Sequence, residues 1–468
     1  MAVKKGQEIE LEIESAAFKG KGVGKFEGMA VFVHGTAPGD KVKARVFKKK
    51  KKFCEAKLLE ILEPSPDRIE PKCRHAKVCG GCSWQHLPYD KQVQYKGEQV
   101  RDHMVRIGGL EPSIVKDAMG ARNEFYYRNK MEYSISSKRW LTEEEINRDE
   151  FVDDTAFAAG LHAPGRFDKI LNLQECHLQV PESYEILDFV RSYCEENDIP
   201  PFDIMNKEGY LRHLMIRNSY HTDDFMVNIV TYQDDEEIIR KLSAALLEEF
   251  PFISTIVNNV NDTKSPTAVG RFENVIHGPG YIVDKIGDYT FKIHPNAFFQ
   301  TNTKQAETLY SVARDYAELK DGDVIYDLYC GVGTLSLFVS PKAKKVVGIE
   351  LVDVAIENAR FNAEENEIDN VSFVLGDMKD VFTTEMTEEY GAPDVLITDP
   401  PRAGMHQDVV ERLIELKVPR LVYVSCNSST MARDLKLLSE CYEVQEVQPV
   451  DMFPQTWHIE AVAKLRLK

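Results

Sequence analysis

One stretch limits the fold of this chain more than any other: DVIYDLYCGVGTLSLFVS, Asp323–Ser340. It reads as an apolar strand, a turn containing Gly331 and Gly333, and a helix, and the strand-to-helix step then recurs. VVGIE ends at Glu350, VSFVLGD at Asp377, and DVLITDPPRAG carries Asp399. Strands that alternate with helices must run parallel through crossover connections, so residues from about 290 to the end predict an α/β domain with a parallel sheet. Acidic residues then end or follow several strands, at the edge where open α/β sheets bind ligands. Gly331 and Gly333 let the backbone approach a ligand at a helix amino end. Glu350, placed after the second strand, suits ribose hydroxyls. Ser336 stands where a dinucleotide fingerprint has its third glycine, which weakens the competing reading of an NAD-binding unit.

The 468 residues are too many for one ordinary core. We expect three domains: a small β-barrel over 1–64, a mixed α/β central domain over 65–285, and the α/β domain over 286–468. The barrel is predicted from QEIELEIE, MAVFVHG and KVKARVF, short alternating runs separated by glycines, and it ends at the proline-rich EPSPDRIEP. RNKMEYSIS and HLMIRNSY are strand candidates in the central domain. Hydrophobic residues make up 43% and charged residues 29%, the balance of a globular protein. MAVKKGQEIE contains no apolar core segment, and no run is long enough for a membrane helix, so a cytoplasmic protein with no membrane partner is expected. The net charge of −18 hides an asymmetry. Residues 1–72 hold 16 Lys and Arg against 11 Asp and Glu, including five successive lysines in FKKKKKF, Phe47–Phe53. A basic module on an acidic body suits a polyanion such as RNA.

Chemistry is expected at LVYVSCNSSTMARDL, Leu421–Leu435. Cys426 falls at the carboxyl end of a strand and just ahead of a helix, whose amino-end field is expected to lower its pKa and make it nucleophilic. Thirty-four residues later DMFPQTWHIE supplies His458 and Glu460, either of which could serve as general base on residue type alone. A carboxylate there would need a dry setting to raise its pKa, and Phe453 and Trp457 are nearby.

Asp327-x-x-x-Gly331-x-Gly333, with Glu350 and Asp377, resembles class I methyltransferases that use S-adenosylmethionine. In DPPR, Arg402 stands where amino-methyltransferases have an aromatic residue. Its guanidinium suits carbonyl or phosphate oxygens better than an exocyclic amine. Taken together, DLYCGVGTLSL, DPPRAG, VSCNSST and DMFPQTWHIE resemble the RNA uridine-5-methyltransferase family. The resemblance implies Cys426 as the nucleophile that adds to uracil carbon 6 and Glu460 as the base that removes the carbon 5 proton. It also implies cofactor contacts at Gln300, Tyr329, Thr334, Glu350, Asp377 and Asp399. The N-terminal module resembles the TRAM domain, an RNA-binding barrel of the ribosomal-RNA branch.

CRHAKVCGGC places Cys73, Cys79 and Cys82 at C-x5-C-x2-C spacing, and Cys176 in LQECHL is the expected fourth ligand. On residues alone the metal stays open. His75, His86 and His177 would allow zinc, and four thiolates suit an iron–sulfur cluster. The resemblance to bacterial enzymes acting on 23S ribosomal RNA implies a 4Fe-4S cluster. The expected activity is methylation of a flipped-out uridine in 23S ribosomal RNA by a monomer. A transfer-RNA uridine methyltransferase and an RNA-binding iron–sulfur redox protein are the alternatives.

Overall fold

The computed structural model describes residues 3–147, 157–165, 169–263 and 267–468. The chain forms two compact bodies: Met1–Lys72 with Cys82–Glu124 and Gln305–Lys468, and Cys73–Gly81 with Phe125–Lys304.

The first body opens with the expected barrel. Strands β1 (Glu8–Ala17), β2 (Lys21–Phe26), β3 (Met29–His34), β4 (Lys41–Lys49) and β5 (Phe53–Glu63) close in the order β1-β2-β3-β5-β4. In β1 the glutamates Glu8, Glu10 and Glu12 face water while Ile9, Leu11 and Ile13 are buried, the period of two that a half-buried strand requires. With Val31, Val33, Val42, Val46 and Cys54 these residues form the barrel core. Burying each valine- to leucine-sized side chain contributes about 1.5–3 kcal/mol before entropy is counted. Helix α1 (Tyr89–His103) follows the barrel within the same body.

The same body carries a seven-stranded sheet built from β15 (Asp323–Leu328), β16 (Ala343–Glu350), β17 (Val371–Leu375), β18 (Val395–Thr398), β19 (Arg420–Ser425), β20 (Tyr442–Val450) and β21 (Glu460–Leu467). Its order is β17-β16-β15-β18-β19-β21-β20. The first five strands are mutually parallel, and β21 runs antiparallel to both β19 and β20. Strand β19 is buried along its whole length, as expected for a central strand covered on both faces. Helices α4 (Thr334–Val339), α5 (Asp353–Glu365), α6 (Gln407–Leu416) and α7 (Ser428–Leu438) connect these strands.

The second body is a seven-stranded sheet in the order β12-β11-β10-β9-β6-β7-β8. Its strands are β6 (Lys130–Ser136), β7 (Ala158–His162), β8 (Ile170–Asn172), β9 (Leu211–Asn218), β10 (Phe225–Thr231), β11 (Thr255–Val260) and β12 (Phe272–His277), and RNKMEYSIS and HLMIRNSY form β6 and β9. The hairpin β13 (Ile282–Ile286) and β14 (Tyr289–Ile293) follows. Helices α2 (Pro181–Glu196) and α3 (Glu236–Glu249) bury Ile186, Val190, Ile239 and Leu242 in a core shared with Leu214, Ile216, Val227 and Ile229. Asp235 caps α3 by accepting hydrogen bonds from the amides of Glu237 and Ile238.

Among the described residues no helix is long and apolar enough to cross a membrane.

Candidate active site

Strand register alone brings the chemistry to one edge. Leu328 pairs with Ile349 on one side and Thr398 on the other, so Tyr329, Glu350 and Asp399 follow on adjacent strands. Asp399 donates its amide to the Leu328 carbonyl at 3.3 Å. Ser425 pairs with Ala461 in the last rung of the antiparallel β19–β21 ladder; Cys426 follows that rung on one strand and Glu460 precedes it on the other, and the Glu460 charge acts on the thiol.

The glycine turn is shaped as the sequence predicts. Gly331 has φ +55° and Gly333 φ +80°, both in the left-handed region that glycine tolerates. A Cβ on Gly331 would meet nothing within 4 Å, so the turn faces open space. Tyr329 also has positive φ, +67°, an unusual strain for an aromatic residue and of the kind that collects at functional sites. Glu350 braces the turn by accepting the Gly331 amide at 3.1 Å and those of Leu351 and Val352 at 2.8 and 2.9 Å. Thr334, the first residue of α4, bonds the Tyr310 hydroxyl at 3.0 Å. Asp377 caps the turn after β17 through the Lys379 amide. Gln300 belongs to the second body, where the Asn129 side-chain amide donates to its carbonyl at 2.8 Å.

Asp327 opens the turn motif, and the sequence gives it no task of its own. It is buried, Ser336 donates to its Oδ2 at 2.5 Å, and its Oδ1 has no partner among the described residues. Desolvation, reinforced by the charges of Asp399 and Glu350, pushes its pKa up to about 7. Ser336, noted only as a missing glycine, is the hydroxyl that makes this buried carboxyl tolerable.

Cys426 differs from expectation. Its thiol is pushed up to about 11 rather than lowered. Burial is the largest cause, and the charges of Glu460 and Asp399 add to it. Arg402 opposes both through its charge and a hydrogen bond to the sulfur. The amino end of α7, capped by Asn427, does not outweigh two nearby carboxylates in a dry site. Glu460 is buried, and desolvation together with the Asp399 charge lifts it far above the ordinary carboxylate range. Asp399 is likewise raised by desolvation although it keeps some exposed surface. The two carboxyls disfavour each other's ionisation, because like charges in one dry site repel. Arg402, assigned from the sequence to substrate oxygens, thus also faces the sulfur. Asn427 and Thr430 hold its carbonyl, at 2.9 and 3.3 Å.

The loop carrying His458 and Glu460 is tied down from α1. Lys96, fully buried, donates to Asp451 Oδ1 at 2.7 Å and to the Phe453 carbonyl at 3.1 Å. Tyr89 donates to Asp451 Oδ2 at 3.0 Å, and the Gln92 side chain bonds both the amide and the side chain of Gln455. His103 bonds Ser428 Oγ at 2.8 Å, two residues past Cys426. His458 stacks on Trp457 with ring centroids 3.8 Å apart.

The cysteines are distributed between the bodies: Cys73, Cys79 and Cys176 lie in the second and Cys82 in the first. Among the described residues no group of three or more Cys, His, Asp or Glu is placed to hold a metal ion. The histidines that would make a zinc site have other partners. His75 Nε2 accepts the Gln174 amide at 3.0 Å, His86 Nε2 contacts the Thr36 carbonyl at 3.4 Å, and His177 Nδ1 bonds the Tyr126 hydroxyl at 2.7 Å.

Comparison with known proteins bears on this geometry. The family model described as tRNA (Uracil-5-)-methyltransferase matches residues 280–467, and the TRAM domain model matches residues 2–59. An uncharacterized RNA methyltransferase of Bacteroides thetaiotaomicron is 43% identical over 97% of this chain and 100% of its own length. Another, of Chlorobaculum tepidum, is 43% identical over 98% of this chain and 96% of its own. The crystal structure of a Pyrococcus abyssi tRNA (uracil-54, C5)-methyltransferase bound to S-adenosyl-L-homocysteine superposes with a TM-score of 0.75. It is 30% identical and covers 98% of this chain and 100% of that one. With the sheet edge, the glycine turn and these matches in place, the chain belongs to the RNA uracil-5-methyltransferase family and carries a TRAM domain at its N-terminal end.

Proposed function

We propose that the protein transfers a methyl group from S-adenosylmethionine to carbon 5 of a uridine in 23S ribosomal RNA, through a temporary bond between Cys426 and carbon 6. The observation that carries this reading is the end of the β19–β21 ladder, where a thiol and a buried carboxyl flank the last rung and a second carboxyl and a guanidinium act on the same thiol. The chain suits the cofactor: the Gly331 turn leaves room at a strand end, and Asp327 offers a buried oxygen with no other partner among the described residues. Tyr329, Thr334, Glu350, Asp377 and Asp399 would hold it, and Gln300 is assigned to it from the family resemblance. When bound, it supplies an electrophilic methyl group.

The residues act as follows. The Cys426 proton passes to the ionised member of the Asp399–Glu460 pair and on to solvent, leaving a thiolate beside Arg402. Sγ bonds to carbon 6 and the ring becomes an enolate, which makes carbon 5 nucleophilic. After carbon 5 is methylated, the Glu460 carboxylate accepts its proton. The carbon 5–carbon 6 double bond re-forms and sulfur leaves as thiolate. A base with a raised pKa is matched to a proton removed near neutrality.

The ribosomal target rests on the resemblance of the barrel and the cysteine spacing. The Pyrococcus transfer-RNA enzyme matches the chain over nearly its whole length, barrel included, and this favours transfer RNA as the second reading. Incubating both RNAs with labelled cofactor and mapping 5-methyluridine decides between them, and label in neither overturns the proposal. The proposed methyl transfer involves no electron transfer, so no step runs through a cluster. The spacing of Cys73, Cys79 and Cys82, with Cys176, supports a 4Fe-4S cluster, tested by iron and sulfide analysis of anaerobically purified protein.

A further inference from the structure

The 3-10 turn between β1 and β2 of the barrel, Phe18–Gly20, packs on the loop that carries the proposed base. The Phe18 ring meets Trp457 edge-on with centroids 4.8 Å apart and meets His103 at 5.6 Å. Trp457 in turn stacks on His458. The turn is built for this approach. Lys19 has φ +69°, and a Cβ on Gly20 would press on Trp457 at 3.3 Å. Trp84 Nε1 donates to the Gly20 carbonyl at 3.4 Å. Phe18, Trp457 and His458 are nevertheless only partly buried as residues, and the ammonium of the exposed Lys19 stands 6.0 Å from the Phe18 centroid. A row of partly buried aromatic residues with an adjacent cation, two residues from Glu460 and one hydrogen bond from the start of α7, is the combination that takes a base on the ring and a phosphate on the lysine.

We propose that Phe18 of the barrel, together with Trp457 and His458, forms a stacking platform for an unpaired nucleobase next to the target uridine, with Lys19 on its phosphate. This rests on the reading of the chain as an RNA enzyme. It adds that the barrel supplies part of the reaction centre's wall and does more than tether RNA.

Stacking on an aromatic ring tolerates any base, so the test needs no knowledge of the natural site. The full chain, with and without S-adenosyl-L-homocysteine, is titrated into a fluorescein-labelled adenosine nonamer and into the same nonamer with its three central bases removed. Wild type should favour the intact strand roughly five- to a hundredfold. Phe18→Leu should erase most of that preference and Phe18→Trp should keep it, while Lys19→Ala should weaken both strands and flatten the salt dependence. Thermal unfolding of each variant checks that the fold survives. Wild type without a preference, or Phe18→Leu discriminating as wild type does, overturns the platform. Methyl transfer is scored separately by the covalent adduct of wild type with 5-fluorouridine RNA, so loss of one reading leaves the other standing.

Discussion

Replacing Asp327 by Asn should stabilise the protein while weakening cofactor binding, and the gain should depend on pH. The Asp327 carboxyl is buried, hydrogen-bonded by Ser336, and lifted from 3.8 to about 7. A carboxyl whose folded pKa lies above its unfolded value binds more protons when folded. Stability is therefore fully present below about pH 4 and is lost as pH rises through 7. At about 1.4 kcal/mol for each pKa unit, the ionisation penalty in wild type grows from about 2 kcal/mol at pH 5 to about 4 kcal/mol at pH 8. Asn has nearly the same shape, keeps an acceptor for Ser336 and does not titrate, so the variant escapes this loss. Urea unfolding of wild type and variant from pH 4.5 to 8.5 should give midpoints that converge in acid and separate by an amount that grows toward alkali. Calorimetric titration with S-adenosylmethionine should show weaker binding to the variant. Parallel stability curves across the range would refute the claim that this carboxyl is buried at the expense of its charge.

Four further outcomes follow from the site. Cys426→Ala should abolish methyl transfer and the 5-fluorouridine adduct, read as a band of retarded mobility on denaturing gels. Glu460→Gln should let the methylated adduct accumulate with natural RNA, because the carbon 5 proton then has no acceptor; normal turnover would exclude Glu460 as base. Arg402→Met removes the cation that opposes the rise of the Cys426 thiol, so the pH at which iodoacetamide alkylates Cys426 should move up. Lys96→Met strands Asp451 in a dry site and should cost about 3–5 kcal/mol in urea unfolding, most of it recovered when Asp451→Asn is added; a loss below about 1 kcal/mol in the single variant would refute the clamp.

What could be read from the sequence was whatever repeats locally. The alternation Glu8-Ile9-Glu10-Leu11 becomes the first barrel strand, and the apolar runs ahead of Tyr329, Glu350 and Asp399 become parallel strands, because each pattern states its own burial. Gly331 and Gly333 take the positive φ that their types allow. Lys96 and Asp451 carry no such signal: they are 355 residues apart, and a lysine within a polar-looking helix gives no sign of full burial. The rise of the Cys426 thiol escapes local pattern for the same reason. The helix amino end beside it is local and visible, whereas the Asp399 and Glu460 charges arrive from other strands and, with burial, outweigh it. His75, His86 and His177 looked available as ligands from composition, yet each is engaged by a group brought in by the fold.

The direction of one strand explains why the proposed chemistry sits where it does. In a wholly parallel sheet every strand delivers its carboxyl end to the ligand edge, and the eight-residue β21 would present Leu467 there, with Glu460 roughly 23 Å away at the opposite side. Because β21 runs against β19, it delivers its first residue instead, and Glu460 stands one residue beyond the Ser425–Ala461 rung, as Cys426 does on the other strand. The residue before a strand's start is also where a connecting loop ends, so Glu460 inherits the loop Asp451–Ile459, and with it Trp457, His458 and the α1 clamp. A shift of one residue in this register would turn Glu460 to the other face of the sheet. The buried Lys96–Asp451 pair and the paired Gln92–Gln455 bonds fix the loop immediately before β21, and so hold the register on which the approach of base to nucleophile depends.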